Sequence, residues 1–276
     1  MEKNGTGLSK KEIDHLIVSK LVSLTDEANK PPGGVMALMK LIMFTRLTSK
    51  SKVLEIGCNT GYSSIEIKRM SNAGVCGIDN NEDSIKKAIL RSQKMGLDVK
   101  FVTADATKLP FKNDEFDVVF CSNVTSFIND KKEALENYVR VLKTYGFLVA
   151  IPIYYLKTPP KSIIINVSKE IGAEIKIFSK KDWLAIFDEQ NLELCYNEDF
   201  TFKFNTDNEI KEYIKKYYIN KKSLAEFSKE EKAAVYKKYL AQFRLFNTNL
   251  SYTGASILIY RKLPQDYEKE LFPFNI

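Results

Sequence analysis

The segment Val53–Gly61 constrains the fold of this 276-residue chain more than any other part of its sequence. Its first four residues, Val53–Ile56, have the character of a buried strand, and a turn with glycine at both ends, Gly57 and Gly61, then leads into a helical pattern. Glycine lets the backbone approach a ligand closely, and the N–H groups at the start of the following helix point toward that ligand. The segment therefore predicts a strand–turn–helix unit that binds a nucleotide-like cofactor.

Four further strands follow, and polar residues stand at the ends of three of them. Asp79 ends the second strand, where a carboxylate can accept hydrogen bonds from both hydroxyls of a ribose. Asp105 follows the third strand and Ser122 the fourth. These strands are Val75–Ile78, Phe101–Thr103, Phe116–Cys121 and Phe147–Ile151. Because helical patterns separate them, the sequence predicts an open α/β sheet.

This order of motifs resembles the class I S-adenosylmethionine-dependent methyltransferases, especially the ubiquinone/menaquinone-biosynthesis branch. The resemblance implies a Rossmann-like sheet of seven strands with helices on both faces. It also implies that the glycine turn holds the methionine side of the cofactor, that Asp79 holds the ribose, and that Asp105, beside the backbone of Ala106, meets the adenine amino group. The cofactor-binding candidates are Glu55, Gly57, Cys58, Asn59, Gly61, Asp79, Asn80, Asp105, Ala106 and Ser122.

The sequence departs from the family pattern in two places. Asn59 stands where a glycine is usual, and asparagine tolerates the left-handed backbone of such a turn. A histidine pair often follows the fourth strand in the family, but residues 124–127 read V-T-S-F. A dinucleotide site is the main alternative, and its G-x-G-x-x-G fingerprint fails at Asn59 and Tyr62. A further alternative is that Asp79 and Asp105 only cap helices or turns.

No catalytic residue follows firmly from the sequence. A substrate nucleophile would attack the sulfonium methyl in line, and a general base is needed only if that nucleophile must lose a proton. His15, the single histidine, and Asn123 and Tyr154, at strand ends, are the candidates. No metal site is expected, because the histidine and cysteine residues lack the spacing of metal ligands.

Two segments outside the cofactor-binding half are predicted to be helical. Residues 1–50 are expected to form a helical cap with helices over 9–24 and 33–47, ahead of a methyltransferase domain over 51–276. In the second helix, Val35, Leu38, Met39, Ile42 and Met43 stand at helical spacing and are expected to pack on the core. Residues 206–247 form an insertion before the last strand, with capping boxes at Thr206 and Ser228 that predict two amphipathic helices. Their apolar stripes are either packed on the core or part of a substrate-specific lid.

The net charge of +7 is concentrated in residues 1–52 and 206–247. This excess favours an anionic substrate or RNA, although lysines on the solvated faces of helices are the better explanation. Acidic residues interrupt the lysines throughout, so a small polar or anionic acceptor is expected and a nucleic acid is not. An RNA methyltransferase and a non-catalytic protein that binds S-adenosylmethionine are the alternatives, and the oligomeric state is left open.

The chain is expected to be cytoplasmic. It has no run of ~18 apolar residues that would span a membrane, and its first residues lack the apolar stretch of a signal peptide. Four scattered cysteines, without metal-ligand spacing, are expected to be reduced and buried thiols.

Overall fold

The computed structural model of the chain describes residues 6–268. Its α-helices are α1 (Lys10–Asp14), α2 (Val18–Leu24), α3 (Gly34–Thr45), α4 (Tyr62–Ser71), α5 (Glu82–Lys94), α6 (Lys131–Val141), α7 (Lys161–Ile171), α8 (Lys180–Asp188), α9 (Asp207–Ile214) and α10 (Lys229–Leu250). Its strands are β1 (Lys52–Ile56), β2 (Gly74–Asp79), β3 (Lys100–Thr103), β4 (Phe116–Ser122), β5 (Leu142–Ile151), β6 (Ile153–Tyr155), β7 (Leu192–Thr201) and β8 (Thr253–Lys262).

The described residues fall into two compact units. The helical unit consists of residues 6–27, 156–175 and 201–253, and the sheet unit consists of residues 28–155, 176–200 and 254–268. The predicted division into a cap over residues 1–50 and a methyltransferase domain over 51–276 stays a prediction.

The sheet runs in the order β3-β2-β1-β4-β5-β8-β6, and β7 also pairs with β8. The first five strands of the chain are parallel, whereas β8 runs antiparallel to β5. In register, Leu54 of β1 lies opposite Cys76 of β2 on one side and opposite Val119 of β4 on the other. The strand order thus reverses beside β1, and ligands of open α/β sheets bind at the carboxyl ends of strands at such a point.

The α/β fold class is confirmed, with eight strands in the sheet where seven were predicted. The extra strand is β6, which follows β5 after the single residue Pro152. Proline has no backbone N–H to donate to a neighbouring strand, so it interrupts the ladder. The short segment beyond it pairs with β8 as a strand of its own.

Apolar side chains cover both faces of the sheet. On one face, Leu54 and Val119 belong to a core cluster with Tyr138 of α6 and Trp183 of α8. On the other face, a separate cluster is formed by inward residues of the same strands and by helices α3 and α4. Each fully buried side chain of this kind contributes about 1.5–3 kcal/mol to stability. The alternation of strand residues between two cores explains why helices lie on both faces.

Helix α3 does not bury the stripe predicted for it. Leu38 is buried, together with Ala37 and Leu41, but Met39 and Met43 are exposed. The prediction was wrong because nearly every position of α3 is apolar, so spacing alone does not identify the inward face.

The helical unit has its own core, and the capping boxes predicted at Thr206 and Ser228 are confirmed at the starts of α9 and α10. Ile210 and Ile214 of α9 are buried in this core, whereas Tyr213, which lies between them in the sequence, is exposed. Helix α9 continues into a π-helical turn, Lys215–Ile219. The role of residues 206–247 as a lid stays a prediction.

The helix predicted over residues 9–24 is interrupted between α1 and α2. A capping box at Ser9 starts α1, and Ile17 has an extended backbone before α2. His15 ends α1, where its Nδ1 atom lies 2.6 Å from the carbonyl oxygen of Lys11. A side chain that satisfies a carbonyl group in the last turn favours helix termination at this point.

Two further expectations concern the cysteines and the membrane. Cys58, Cys76 and Cys121 are buried, but Cys195 is exposed on β7, which corrects the expectation of four buried thiols. Within residues 6–268, no helix combines the length and the apolar character needed to cross a membrane.

Candidate functional site

The glycine turn between β1 and α4 has three residues with positive φ. These are Gly57 at +70°, Asn59 at +47° and Gly61 at +82°, so asparagine adopts the predicted left-handed backbone. A Cβ atom on Gly57 would lie 2.5 Å from Val124 Cγ2, and one on Gly61 would lie 2.8 Å from Ala88 Cβ. Both glycines are therefore required by backbone conformation and by close neighbours.

Hydrogen bonds from neighbouring elements hold the turn in place. The N–H of Cys58 donates to the carbonyl of Ile78 at 2.8 Å, which ties the turn to β2. The Arg91 guanidinium of α5 donates to both the carbonyl and the hydroxyl oxygen of buried Thr60, each at 2.8 Å. Arg91 cannot be identified from the sequence, because no local pattern signals a contact with a residue 31 positions away.

Asp79 stands at the end of β2, beside the turn. One carboxylate oxygen accepts the N–H of Asn59 and the other accepts the N–H of Asn81, both at 2.9 Å. Burial raises the pKa of Asp79, and the N–H donors partly offset this effect. Each carboxylate oxygen can accept a second hydrogen bond, so the two ribose hydroxyls remain compatible with this geometry. Asn80, the other candidate at this strand end, is exposed.

Glu55 lies on β1 immediately before the turn, and its side chain is buried. The hydroxyl of Ser64, in the first turns of α4, donates to one of its carboxylate oxygens. Burial raises the pKa of Glu55 from 4.5 to about 7 in spite of this bond. Burial likewise raises the pKa of the Cys58 thiol, which therefore stays protonated and unreactive at neutral pH. Glu55 thus links the end of β1 to α4, and its carboxyl group is easily neutralised.

Asp105 lies at the same edge of the sheet as Asp79. The N–H of Ala104 donates to the carbonyl of Asp79 at 3.0 Å, which aligns the end of β3 with the end of β2. Asp105 is exposed, and one of its oxygens accepts both the N–H and the hydroxyl of Thr107, at 2.8 and 2.9 Å. These bonds lower its pKa, so it is an ionised acceptor that fits an amino group. Ala106, beside it, is half-buried.

Two polar features at this edge of the sheet are suited to a bound ligand, the start of α4 and the Ser122 hydroxyl. Helix α4 begins at Gly61 without a side-chain cap, so its first N–H groups form a site of positive potential. The Ser122 hydroxyl, at the end of β4, is buried and has no hydrogen-bond partner within the described part of the chain. Buried polar groups normally have partners, so both features fit a bound polar ligand.

The three catalytic candidates have other interactions. The amide oxygen of Asn123 accepts from the Ser126 hydroxyl at 2.7 Å and from the N–H of Ile153 at 3.1 Å. Tyr154 is buried, and its hydroxyl lies 3.0 Å from that of Ser256. Burial raises the pKa of Tyr154. The hydrogen bonds of Asn123 and Tyr154 thus connect the end of β4 to β6, and β6 to β8, at the sheet edge where the turn lies. His15 belongs to the helical unit. Within residues 6–268, no cluster of acidic, histidine and cysteine side chains could hold a metal ion.

Comparison with known proteins gives matches over most of the chain. Residues 47–191, just over half of the sequence, match the family described as a methyltransferase domain. A sterol 24-C-methyltransferase of Aspergillus fumigatus is 30% identical over 157 residues, which are 54% of this chain and 41% of that protein. The 27-O-demethylrifamycin SV methyltransferase of Amycolatopsis mediterranei is 26% identical over 226 residues, 78% of this chain and 79% of that protein.

Among solved structures, the MccD protein is similar over 85% of this chain and 99% of its own, with a TM-score of 0.72 and 25% identity. The chain thus spans less than half of the sterol enzyme but nearly all of the MccD fold.

Proposed function

The chain belongs to the methyltransferase-domain family and is an S-adenosylmethionine-dependent methyltransferase, and we propose that it methylates a small molecule. Its membership of this class confirms the class predicted from the sequence. The ubiquinone/menaquinone-biosynthesis branch, an anionic acceptor and a cytoplasmic location stay predictions.

The ion pairs of residues 206–247 carry this proposal. Five of the ten basic side chains in this insertion pair with carboxylates of the helical unit: Lys211 and Arg244 with Asp207, Lys215 with Glu212, Lys221 with Glu27, and Lys238 with Glu170. A protein that binds RNA through its phosphates needs basic groups that are available to displace counterions. Pairing within the protein takes up half of these basic groups and so weakens a phosphate-binding surface, which favours a small acceptor over RNA.

The two similar enzymes are consistent with this proposal. One carries a sterol in its name and the other a demethylrifamycin, and both are small molecules. The second enzyme supports the proposal more strongly, because the match covers 79% of its length.

We assign the cofactor to the carboxyl edge of β1, β2 and β3. Asp79 would accept the ribose hydroxyls, and ionised Asp105 would accept the adenine amino group. The uncapped start of α4 would receive the carboxylate of the methionine portion, since helix N-termini bind anions. The Ser122 hydroxyl would find its missing partner on the ligand or on an ordered water.

When bound, the cofactor supplies a methyl group attached to a sulfonium sulfur. That sulfur is already activated as a leaving group. The residues around it have only to align the acceptor with that methyl group and to exclude water. No side chain needs to take part covalently, and a base is required only for an acceptor that must lose a proton. His15, Asn123 and Tyr154 therefore stay candidates and not assigned catalytic residues.

The cofactor assignment is tested by titration calorimetry with S-adenosylmethionine on the variant Asp79→Asn. This change keeps the size of the side chain but removes its charge, and loss of charged hydrogen bonds should cost about 2 kcal/mol, or about thirtyfold in Kd. The control is Asp98→Asn, an exposed carboxylate outside the turn, which should bind like wild type. Equal affinity in the Asp79 variant would remove the ribose assignment.

The acceptor class is tested by supplying S-adenosylmethionine with a radiolabelled methyl group. Wild-type protein is incubated separately with a low-molecular-mass cell extract and with purified total RNA. We expect label in the low-mass products, and loss of that label with Asp79→Asn. Label transferred to RNA by wild type but not by the variant would favour the RNA enzyme and reject a small acceptor.

A further inference from the structure

Helix α3 exposes a largely apolar surface, interrupted by Lys40, that the sheet unit does not bury. Its inward face consists of Ala37, Leu38 and Leu41, which pack beneath it on the sheet. On the outward face, Met36, Met39 and Met43 are 58%, 42% and 69% exposed, and Val35 and Phe44 border them. A helix that is apolar on every side normally lies buried. Something outside the described residues is therefore expected to cover this methionine face, defined as Val35, Met36, Met39, Met43 and Phe44.

The charges around the methionine face indicate what covers it. The segment from Ala28 to Lys52 contains five basic residues and no acidic residue, although the chain as a whole has 35 acidic residues. Lys40 pairs with Glu198 of β7. The other four basic side chains are exposed and flank the two ends of α3: Lys30, Arg46, Lys50 and Lys52. Two acidic residues that contact this segment, Glu198 and Asp117, pair with Lys40 and Lys143. An exposed apolar face with an excess of positive charge beside it matches an anionic lipid surface in both respects.

We propose that the methionine face of α3 docks this enzyme on the surface of an anionic membrane. The methionine side chains would enter the boundary between headgroups and acyl chains, and the flanking basic side chains would contact lipid phosphates. Methionine suits this role because its flexible thioether adapts to irregular surroundings. The docking is peripheral, so it needs no helix that spans the bilayer.

A second copy of the chain fits this face less well. A symmetric dimer through α3 would bring the four exposed basic side chains of each copy toward those of the other copy. The face also provides only five partly exposed side chains, whereas a stable interface buries about 800 Å² on each partner. An anionic lipid surface attracts these basic side chains, whereas a second copy of the chain would repel them.

The test is sedimentation of the full-length protein with vesicles of phosphatidylcholine, with and without phosphatidylglycerol. We expect binding to the vesicles that contain the anionic lipid, weakened by added NaCl because salt screens the basic residues. The double variant Met39→Glu/Met43→Glu should bind about tenfold more weakly or worse, since it opposes both apolar insertion and attraction to the lipid. Both residues are exposed, so the substitutions leave the core unchanged.

The matched control is Leu90→Glu/Met95→Glu, which places the same two charges at α5 on side chains that are 51% and 48% exposed. This control should bind almost as well as wild type. A second variant, Lys50→Gln/Lys52→Gln, should lose part of the binding and about half of its dependence on salt, because Lys30 and Arg46 remain. Three results would overturn the proposal: no binding by wild type, equal loss in the α5 control, or a dimer in sedimentation equilibrium that the Met39/Met43 variant dissolves.

Discussion

The buried carboxyl group of Glu55 predicts how the unfolding free energy of the protein depends on pH. Its carboxyl group is buried at the end of β1, where it accepts hydrogen bonds from the hydroxyls of Ser64 and Ser63 and from the backbone N–H of Ser64. Burial disfavours the charged form, which raises the pKa from 4.5 to about 7. The folded protein therefore holds this proton more tightly than the unfolded chain does.

The direction and size of the effect follow from that difference. The stabilising contribution of protonated Glu55 is complete below pH 4.5, declines as the pH rises, and is lost above about pH 7. A shift of this size corresponds to about 3 kcal/mol, because each pKa unit is worth about 1.4 kcal/mol. About 2–3 kcal/mol of it is lost between pH 5 and pH 8. Glu55→Gln cannot ionise, so this variant should lack that dependence.

Urea unfolding at pH 5 and pH 8 measures the effect. Trp183 is the only tryptophan of the chain and lies buried in the sheet unit, so its fluorescence reports unfolding of the region that contains Glu55. Between these two pH values, wild type should lose about 2–3 kcal/mol more unfolding free energy than Glu55→Gln. The control Glu136→Gln, on the exposed side of α6, should behave as wild type does. If Glu55→Gln and wild type change in parallel, Glu55 does not have a raised pKa in the folded protein.

Three other substitutions test the turn and the helical unit. Gly61→Ala forces an alanine to a φ of +82°, where its Cβ atom would lie 2.8 Å from two side-chain atoms. This variant should lower the unfolding free energy by about 2–4 kcal/mol, and unchanged stability in urea would contradict this. Arg91→Ala removes two hydrogen bonds to Thr60 and should weaken the binding of S-adenosylmethionine about tenfold in calorimetry, with an intact fold by circular dichroism. Unaltered affinity would show that Arg91 does not position the turn. Glu27→Gln leaves Lys221 without its ionised partner and should destabilise the protein by about 3 kcal/mol in thermal unfolding. The double variant Glu27→Gln/Lys221→Met should recover part of this loss, and a double variant that is no more stable than the single one would show that the pair is not coupled.

The sequence alone predicted those parts of the fold that depend on local chemistry. The turn from Gly57 to Gly61 and the capping boxes at Thr206 and Ser228 each follow from a few neighbouring residues, and the structure has all three where they were expected. Asn59 could be assigned a left-handed backbone because asparagine is one of the few residues that tolerate it.

Contacts between distant parts of the chain could not be predicted in this way. The bonds from Arg91 to Thr60 join residues on different elements, and the hydroxyl contact between Tyr154 and Ser256 spans 102 positions. A single sequence contains no periodic signal for such pairs, because each residue alone is compatible with a surface position. For the same reason, the interactions that occupy Asn123 became visible only in the structure.

Helix α3 shows why a correct element can still be oriented wrongly. Periodicity identifies an inward face by contrast with polar residues on the opposite face, and α3 has Lys40 as its only charged residue. Without that contrast, Met39 and Met43 fitted an inward stripe as well as Leu38 did, although only Leu38 is buried. The absence of contrast is itself informative, because a helix with two apolar faces has two surfaces to bury. The sheet covers one of them, and the excess of positive charge beside α3 then indicates which kind of surface covers the other.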